Sequence, residues 1–414
     1  SPLNGSGLVP VTHVLHDIGI TDITVVPEQE KPDGNFPTCP YPNPEIFEAL
    51  RLGLELAEKS GADLMLATDP DADRVGIAVK CKDGSYELLS GNEVGVLLLD
   101  YICAGRIEQG TMPKDPVMCK SIVSTPLADK VAEHYGVECR NVLTGFKWIG
   151  DQIAKLEAAG QGDRFIFGFE ESYGYLAGPY VRDKDAIIGS MLICEMAAYY
   201  RAKGSSIKEE LERIYAEYGR YLNKVDSFEF PGLSGMDKMV GIMSGLRENP
   251  PKDFGGDAVV KVVDYKKPEE TGLPAANVLI YTLENGATVV VRPSGTEPKI
   301  KTYFTTLGKD LAEAQAQKDA LAAAIEPIQT LKTNYLGGKN PRLHTDEILI
   351  ALSSSAASSE LAAAAMHQLP NLKGCDVHST VLLSSVDSST LNRLGMYLTC
   401  DPVYEEEDRK YHKL

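Results

Sequence analysis

The sequence predicts an α/β protein of several domains: two mixed α/β sandwich domains, then a smaller α+β domain, then an extra carboxyl-terminal α/β segment. Three observations carry that reading. β-Branched apolar runs alternate with helix-length stretches up to about residue 222, a pattern that builds α/β layers around a largely parallel sheet. From residue 223 onward, short strand signals and hairpin turns dominate. A length of 414 residues exceeds what one hydrophobic core serves, and three or four domains of about 100 residues fit it. The divisions fall at 1–114, 115–222, 223–328 and 329–414.

In the first domain, residues 21–26 read as a short strand closed by Pro27. Pro44 opens a helix over 45–59, which Ser60-Gly61 ends. The apolar run 62–67 leads into an Asp-Pro turn, and 75–79 resumes a strand at once. A hairpin is expected around Lys82-Asp83-Gly84, and a helix over 92–103. The second domain offers a buried strand at 117–123, a helix at 127–135 and a strand at 164–169. A long apolar-rich helix over 186–203 follows, and Gly204-Ser205-Ser206 divides it from another over 207–218. In the third domain, strands are expected near 223–230, 258–264 and 277–291, with Asn285-Gly286 as a type I′ turn. A terminal helix spans 312–325, and 331–341 has the composition of a linker. The last segment opens with an Ala/Ser-rich helical stretch at 348–366 and ends near the acidic run 405–408.

A net charge of −18 argues against nucleic acid or an anionic membrane as partner, and makes any local cluster of Lys and Arg informative. Eight cysteines are scattered without a CxxC pair or His/Cys metal spacing, as expected of reduced thiols in a cytoplasmic protein. No apolar run reaches membrane-spanning length and no signal peptide is evident. The opening Ser1-Pro2-Leu3-Asn4-Gly5-Ser6-Gly7 reads as the middle of a longer protein.

Chemistry concentrates in Asp69-Pro70-Asp71-Ala72-Asp73-Arg74. Carboxylates at i, i+2 and i+4 on a short loop after a strand can converge on one centre, and three hard oxygen donors suit Mg²⁺. A Ca²⁺-binding EF-hand loop would need Gly sixth and Glu twelfth, where Arg74 and Lys80 stand. The adjacent Arg74 suggests that a phosphate comes to the same place. A solvated acidic turn is the plainer alternative. Arg292-Pro293-Ser294-Gly295-Thr296-Glu297-Pro298-Lys299 lies between two strand-like runs. Its backbone N–H groups, two hydroxyls and flanking cations form a nest fit for a phosphate dianion, with an ordinary charged turn as the alternative. Glu170-Glu171-Ser172 could grip vicinal sugar hydroxyls, or lie on a solvated face. Thr144-Gly145-Phe146-Lys147-Trp148 could be a packed turn. Arg182-Asp183-Lys184-Asp185 could cap the following helix or bind an anion.

Taken together and in chain order, these motifs resemble the α-D-phosphohexomutase family, most closely its bacterial phosphoglucomutase branch, over about residues 1–327. The resemblance implies domains of phosphohexomutase type. It implies that Asp69, Asp71 and Asp73 hold Mg²⁺ and that Arg74 and Lys147 serve catalysis. Thr144, Gly145, Glu170, Ser172, Arg182 and Lys184 would bind the sugar phosphate. Arg292, Ser294, Gly295 and Thr296 would clamp its non-reacting phosphate. In such mutases a phosphoserine donates its phosphate to glucose 1-phosphate, and glucose 1,6-bisphosphate then reorients and returns the other phosphate as glucose 6-phosphate forms.

Two departures qualify the resemblance. The Thr-Ala-Ser-His-Asn-Pro-like phosphoserine motif of the family's first domain has no match here. A separate N-terminal mutase domain would have to supply it, and a non-catalytic sugar-phosphate-binding protein is the alternative reading. Residues 337–347 and 373–380 resemble instead the carboxyl-terminal part of a family of uncharacterised bacterial proteins, so a fused assembly module is a further alternative. Cys375 and His378 in that stretch read as structural rather than as a nucleophile pair.

Overall fold

Short connections decide the first layer. In the computed structural model, which describes residues 1–230, 235–295 and 297–334, helices α1 (Leu8–Asp17) and α2 (Phe47–Ser60) flank strands β1 (Leu64–Thr68), β2 (Val75–Lys80) and β3 (Tyr86–Leu89). These strands lie in the order β1-β2-β3 and pair antiparallel throughout, correcting the expectation of a largely parallel sheet here. The connections at 69–74 and 81–85 are too short for a crossover, so neighbouring strands must reverse. Residues 21–26 form no strand, again against expectation. Helix α2 lays Ala49, Leu50 and Ala57 on Met65 and Ala67 of β1, and ends at Gly61 in the left-handed region (φ 72°), as Ser60-Gly61 foretold.

The second layer is the parallel one. It comprises α3 (Gly91–Glu108), β4 (Val117–Ser121), α4 (Leu127–His134), β5 (Glu138–Val142), α5 (Lys147–Ala158), β6 (Phe165–Glu170), β7 (Gly174–Leu176), α6 (Ala186–Ala202) and α7 (Ile207–Tyr218). The sheet order is β5-β4-β6-β7, parallel except for β7. Both β4 and β6 are buried along their whole length, as expected of strands covered on both faces. Helix α3 starts with a capping box, Ser90 and Glu93 exchanging side-chain and backbone bonds, and packs on α4, α6, α7 and β6. Helix α6 bridges the layers, touching α1, β1 and β2 as well as β7.

The third region is an antiparallel sheet ordered β8-β13-β12-β11-β10-β9. Its elements are β8 (Arg220–Glu229), α8 (Gly235–Glu248), β9 (Asp253–Phe254), β10 (Asp257–Asp264), α9 (Pro268–Thr271), β11 (Leu279–Leu283), β12 (Thr288–Pro293), β13 (Lys299–Gly308) and α10 (Leu311–Asn334). The β11–β12 hairpin is not the two-residue type I′ turn expected from Asn285-Gly286. Only Gly286 has positive φ (83°), and the Leu283 N–H bonds to the Ala287 carbonyl, which closes a longer loop with glycine at its left-handed position. Helix α10 runs on to Asn334, where a linker was expected from residue 331. Ser1–Gln329 form one unit and Thr330–Leu414 a second. The motifs at 337–347, 348–366, 373–380 (with Cys375 and His378) and 405–408, like Thr296, lie outside the described residues. Among the described residues no helix is long and apolar enough to cross a membrane, and the six described cysteines are unpaired.

Candidate functional site

The acidic loop is built around Asp69. Its carboxylate is 1% exposed and accepts hydrogen bonds from the N–H groups of Asp73 (3.0 Å) and Arg74 (2.9 Å), while its second oxygen takes the Arg74 Nε at 2.6 Å. Ala72, at φ 57°, turns the chain tightly enough for this. Asp71 is left exposed and Asp73 half-buried. One carboxylate oxygen from each of Asp69, Asp71 and Asp73 lies within 4.8 Å of the others, a donor set that fits a hard divalent cation. The glycine-rich opening of the chain supports the loop from below. Ser6 donates through its backbone N–H (2.8 Å) and its hydroxyl (3.0 Å) to the Pro70 carbonyl, and a methyl group at Gly5 would collide with Pro70.

Two cations meet this acid. Arg74 reaches from Asp69 toward Glu45 (3.5 Å) and Asn43 (3.4 Å), and Lys184 forms an ion pair with Asp73. Burial raises the Glu45 carboxyl above its ordinary range, although Arg74 and Lys301 pull it down. Burial works against the Lys184 charge too, and Asp73 more than offsets it. Lys184 is placed by its neighbours: the Asp185 side chain caps α6 by accepting from Ile187 and Ile188, and the Ala186 N–H donates to the Ala72 carbonyl. Because a side chain at Gly174 would overlap that of Lys184, only glycine leaves room there.

Across from the loop stands the carboxyl end of β6. Glu170 is 5% exposed and accepts the Gly145 N–H at 2.6 Å; burial, with the charge of Glu171, pushes its carboxyl up to about 7. Glu171 points elsewhere, taking hydrogen bonds from Ser121 (2.8 Å) and Ser124 (3.3 Å), and Ser172 is half-buried. The Thr144 hydroxyl is buried without a partner among the described residues. The two layers are stitched at this point, since the Val75 N–H donates to the Tyr173 carbonyl and Arg74 bridges to Gly174.

Other expected residues are placed further out. Lys147 is exposed at the start of α5, 5.1 Å above the Trp148 ring. Arg182 is exposed and engaged by Glu157 and by the carbonyls of Pro179 and Val181. Arg292 lies at the end of β12, Ser294 and Gly295 lie in the β12–β13 loop, and Lys299 pairs with Glu297. This loop borders the site: Arg292 bonds to Tyr303, whose hydroxyl feels Glu171 and Glu45. Tyr303 and Val290 also pack on Val123, fixing the third region against the second. Asn43, Glu45, Ser121, Ser124 and Lys301 escaped sequence reasoning. They enter through contacts 29 or more positions away in the chain, for which no local pattern exists.

Fold and site together define a layered α/β protein in which a loop of three converging carboxylates, a donor set that fits a hard cation, meets the end of β6 with its buried Glu170. Residues 1–84 match phosphoglucomutase/phosphomannomutase alpha/beta/alpha domain II, residues 90–218 match domain III, and residues 254–324 match the C-terminal domain of the same proteins. The chain therefore belongs, over these three domains, to the phosphoglucomutase/phosphomannomutase family. Residues 301–410 match the C-terminal domain of unknown function DUF1846, in keeping with the second resemblance. A phosphoglucomutase of Staphylococcus aureus strain MSSA476 is 39% identical over 313 residues, covering 73% of this chain and 55% of the relative. That of strain MRSA252 is 38% identical over 329 residues, covering 77% and 58%. The chain thus spans little more than half the length of these relatives. Parafusin from Paramecium, a phosphoglucomutase in its open form, shares the fold with a TM-score of 0.57 at 19% identity, over 81% of this chain and 58% of that one. A phosphoglucomutase/phosphomannomutase family protein from Burkholderia thailandensis does so with a TM-score of 0.56 at 16% identity, over 80% and 60%.

Proposed function

We propose that residues 1–328 form the metal-, sugar- and phosphate-binding part of a cytoplasmic hexose-phosphate mutase that interconverts glucose 1-phosphate and glucose 6-phosphate through glucose 1,6-bisphosphate. The observation that carries this reading is the convergence of Asp69, Asp71 and Asp73 beside Arg74 and Lys184, opposite Glu170. Asp71 and Asp73 would hold Mg²⁺ with Asp69, which also braces the loop. Such an ion neutralises charge on a transferring phosphoryl group. Arg74 and Lys184 add fixed positive charge at the same place, so that the phosphoryl oxygens meet donors that need no reorganisation. Glu170, already holding the Gly145 N–H, accepts a sugar hydroxyl with its remaining lone pairs, and the unpartnered Thr144 hydroxyl takes another. Ser172, two positions after Glu170, would add a further hydroxyl. Arg292, Ser294, Gly295 and Thr296 clamp the phosphate that does not react, and Lys147 and Arg182 supply the outer cations. The phosphoryl donor is a phosphoserine carried by a mutase domain outside residues 1–414.

The test has two arms. The full chain is titrated calorimetrically with glucose 1-phosphate and Mg²⁺. It is also assayed for glucose 6-phosphate formation with glucose 1,6-bisphosphate present, with and without the first domain of a phosphoglucomutase added in trans. Binding, with turnover on adding the domain, is expected. Binding without turnover in either arm selects the non-catalytic sugar-phosphate-binding reading, and absence of binding rejects both. Arg292→Ala should weaken glucose 1-phosphate binding about tenfold or more, the worth of a charge-assisted contact, and leave the thermal midpoint in place.

A further inference from the structure

Four polar side chains lie buried in close succession at the carboxyl end of β4: Lys120, Ser121, Ser124 and Thr125. Polar groups enclosed in this way are retained where each finds a partner. Lys120 pairs with Asp129 of α4 at 2.9 Å and reaches toward the Ser124 carbonyl (3.5 Å), while the Thr125 N–H donates to the Asn92 side chain at 2.8 Å. Between the serines, Val123 packs on Val278, Val290 and Tyr303. The 121–125 loop is therefore held on several sides. Its two hydroxyls, 2.9 Å apart, both turn onto Glu171. They meet the same carboxylate oxygen, Oε2, at 2.8 Å from Ser121 and 3.3 Å from Ser124, and the Ser124 hydroxyl also accepts the Glu171 N–H at 3.2 Å. One pair of serines thus grips Glu171 by side chain and backbone together.

The grip falls on a strained turn. Glu170 stands just before it, with its own carboxylate on the Gly145 N–H at 2.6 Å. Tyr173 stands two positions after it at φ 66°, a backbone conformation that a bulky residue keeps only where its surroundings impose it. Val75 holds the far end of the turn by donating to the Tyr173 carbonyl, and the serine pair holds the near end. Building on the sugar-binding reading above, we propose that Glu171 is a positioning residue: gripped by Ser121 and Ser124, it sets the turn that presents Glu170 and Ser172 to the sugar, and does not itself touch the sugar. Both lone pairs of Oε2 are already taken by the serines, so that oxygen has nothing left to offer a sugar hydroxyl. Its other oxygen, Oε1, takes no hydrogen bond among the described residues, and direct contact through it is the rival that the experiment must separate.

The full chain would be compared at about pH 8, above the range in which Glu170 titrates, with Glu171→Ala, with the double variant Ser121→Ala and Ser124→Ala, and with Glu171→Gln. The amide oxygen of Gln can stand in for Oε2 and keep both serine bonds without the charge. Two quantities are read: amide exchange at Gly145, which reports where the Glu170 carboxylate lies, and calorimetric affinity for glucose 1-phosphate. Glu171→Ala and the double serine variant should each speed Gly145 exchange and weaken binding by about tenfold, whereas Glu171→Gln should match the parent chain in both. Binding lost in Glu171→Gln but kept in the double serine variant would make Glu171 a direct sugar ligand and overturn the proposal. Unchanged Gly145 exchange in Glu171→Ala would overturn it too. A parent chain that binds no glucose 1-phosphate defeats the sugar-binding reading instead, and Gly145 exchange, which needs no sugar, still decides whether the serine pair positions Glu170 through Glu171.

Discussion

Asp69 and Asp71 stand two positions apart and answer to different demands. Asp69 is enclosed and holds two backbone N–H groups and a guanidinium, so Asp69→Ala strands three donors and should cost about 2 kcal/mol of stability, read from denaturant midpoints. Asp71 is exposed and has no hydrogen bond or ion pair among the described residues, so Asp71→Asn should leave that midpoint unchanged while abolishing calorimetric Mg²⁺ binding. Loss of stability in the second variant, or retained metal binding, would discard this division. Glu170 makes a pH prediction with a definite sign. The folded chain holds its proton up to about pH 7, the unfolded chain only to about 4.5, so its contribution is complete below 4.5 and is lost as pH rises to 7. That loss amounts to at most about 3 kcal/mol. Glu170→Gln, neutral throughout, should flatten the stability profile between pH 5 and 8, as urea unfolding across that range would show. The acidic triplet was legible in the sequence because its spacing is local and its chemistry needs only one loop. The division of labour within it was not, since burial of Asp69 depends on Gly5 and Ser6 packing against Pro70 from the far end of the domain.

At the scale of elements, helices with caps were the readable part. Ser60-Gly61 ends α2 within a residue of expectation, and α7 spans Ile207–Tyr218 with Ser206 capping it as the break at 204–206 suggested. Strand direction was less readable, because alternation of strand and helix signals does not distinguish a crossover from two hairpins in succession. What placed β2 beside β1 in reverse is the shortness of the acidic loop itself, a constraint that also draws its carboxylates together. The entry of α3 shows how an element far from the chemistry positions it. Gly91 opens that helix directly under the 170–174 loop, and a methyl group there would strike the Glu171 carbonyl and sit 2.7 Å from the Tyr173 nitrogen. Backbone cannot yield as a flexible side chain can. Gly91→Ala should therefore destabilise the chain by about 3 kcal/mol and weaken glucose 1-phosphate binding as well. Ser90→Ala, which removes only the cap, should cost about 1 kcal/mol and spare binding. Calorimetry and thermal melts on the pair separate displacement of the sugar-binding loop from simple loss of helix stability.

For the whole molecule, the open question is where one inheritance ends and the other begins. The matches to the mutase C-terminal domain and to DUF1846 overlap at residues 301–324, which hold most of β13 and the first half of α10. Packing assigns this overlap. Strand β13 lies inside the six-stranded sheet, paired from Lys299 to Gly308 with β8 and from Ile300 to Thr305 with β12. Thr306, fully buried, donates from its hydroxyl to the Ala314 carbonyl of α10, and Leu321 is buried too. Removing β13 would strip two neighbours of their partner at once and expose Ile300, Tyr303 and Phe304, a loss no loop closure restores. The third domain thus needs β13 and the part of α10 that packs on it, and the match to mutase domain III opens at residue 90, just ahead of α3. Two truncations test this. A chain ending at residue 334 should unfold in a single cooperative transition and bind glucose 1-phosphate as the full chain does. A chain ending at residue 300 should lose both the cooperative melt of the third region and the Arg292-dependent part of binding. If the longer truncation also loses binding, residues 335–414 belong to the functional unit, and the assembly-module reading gains the ground that the mutase reading gives up.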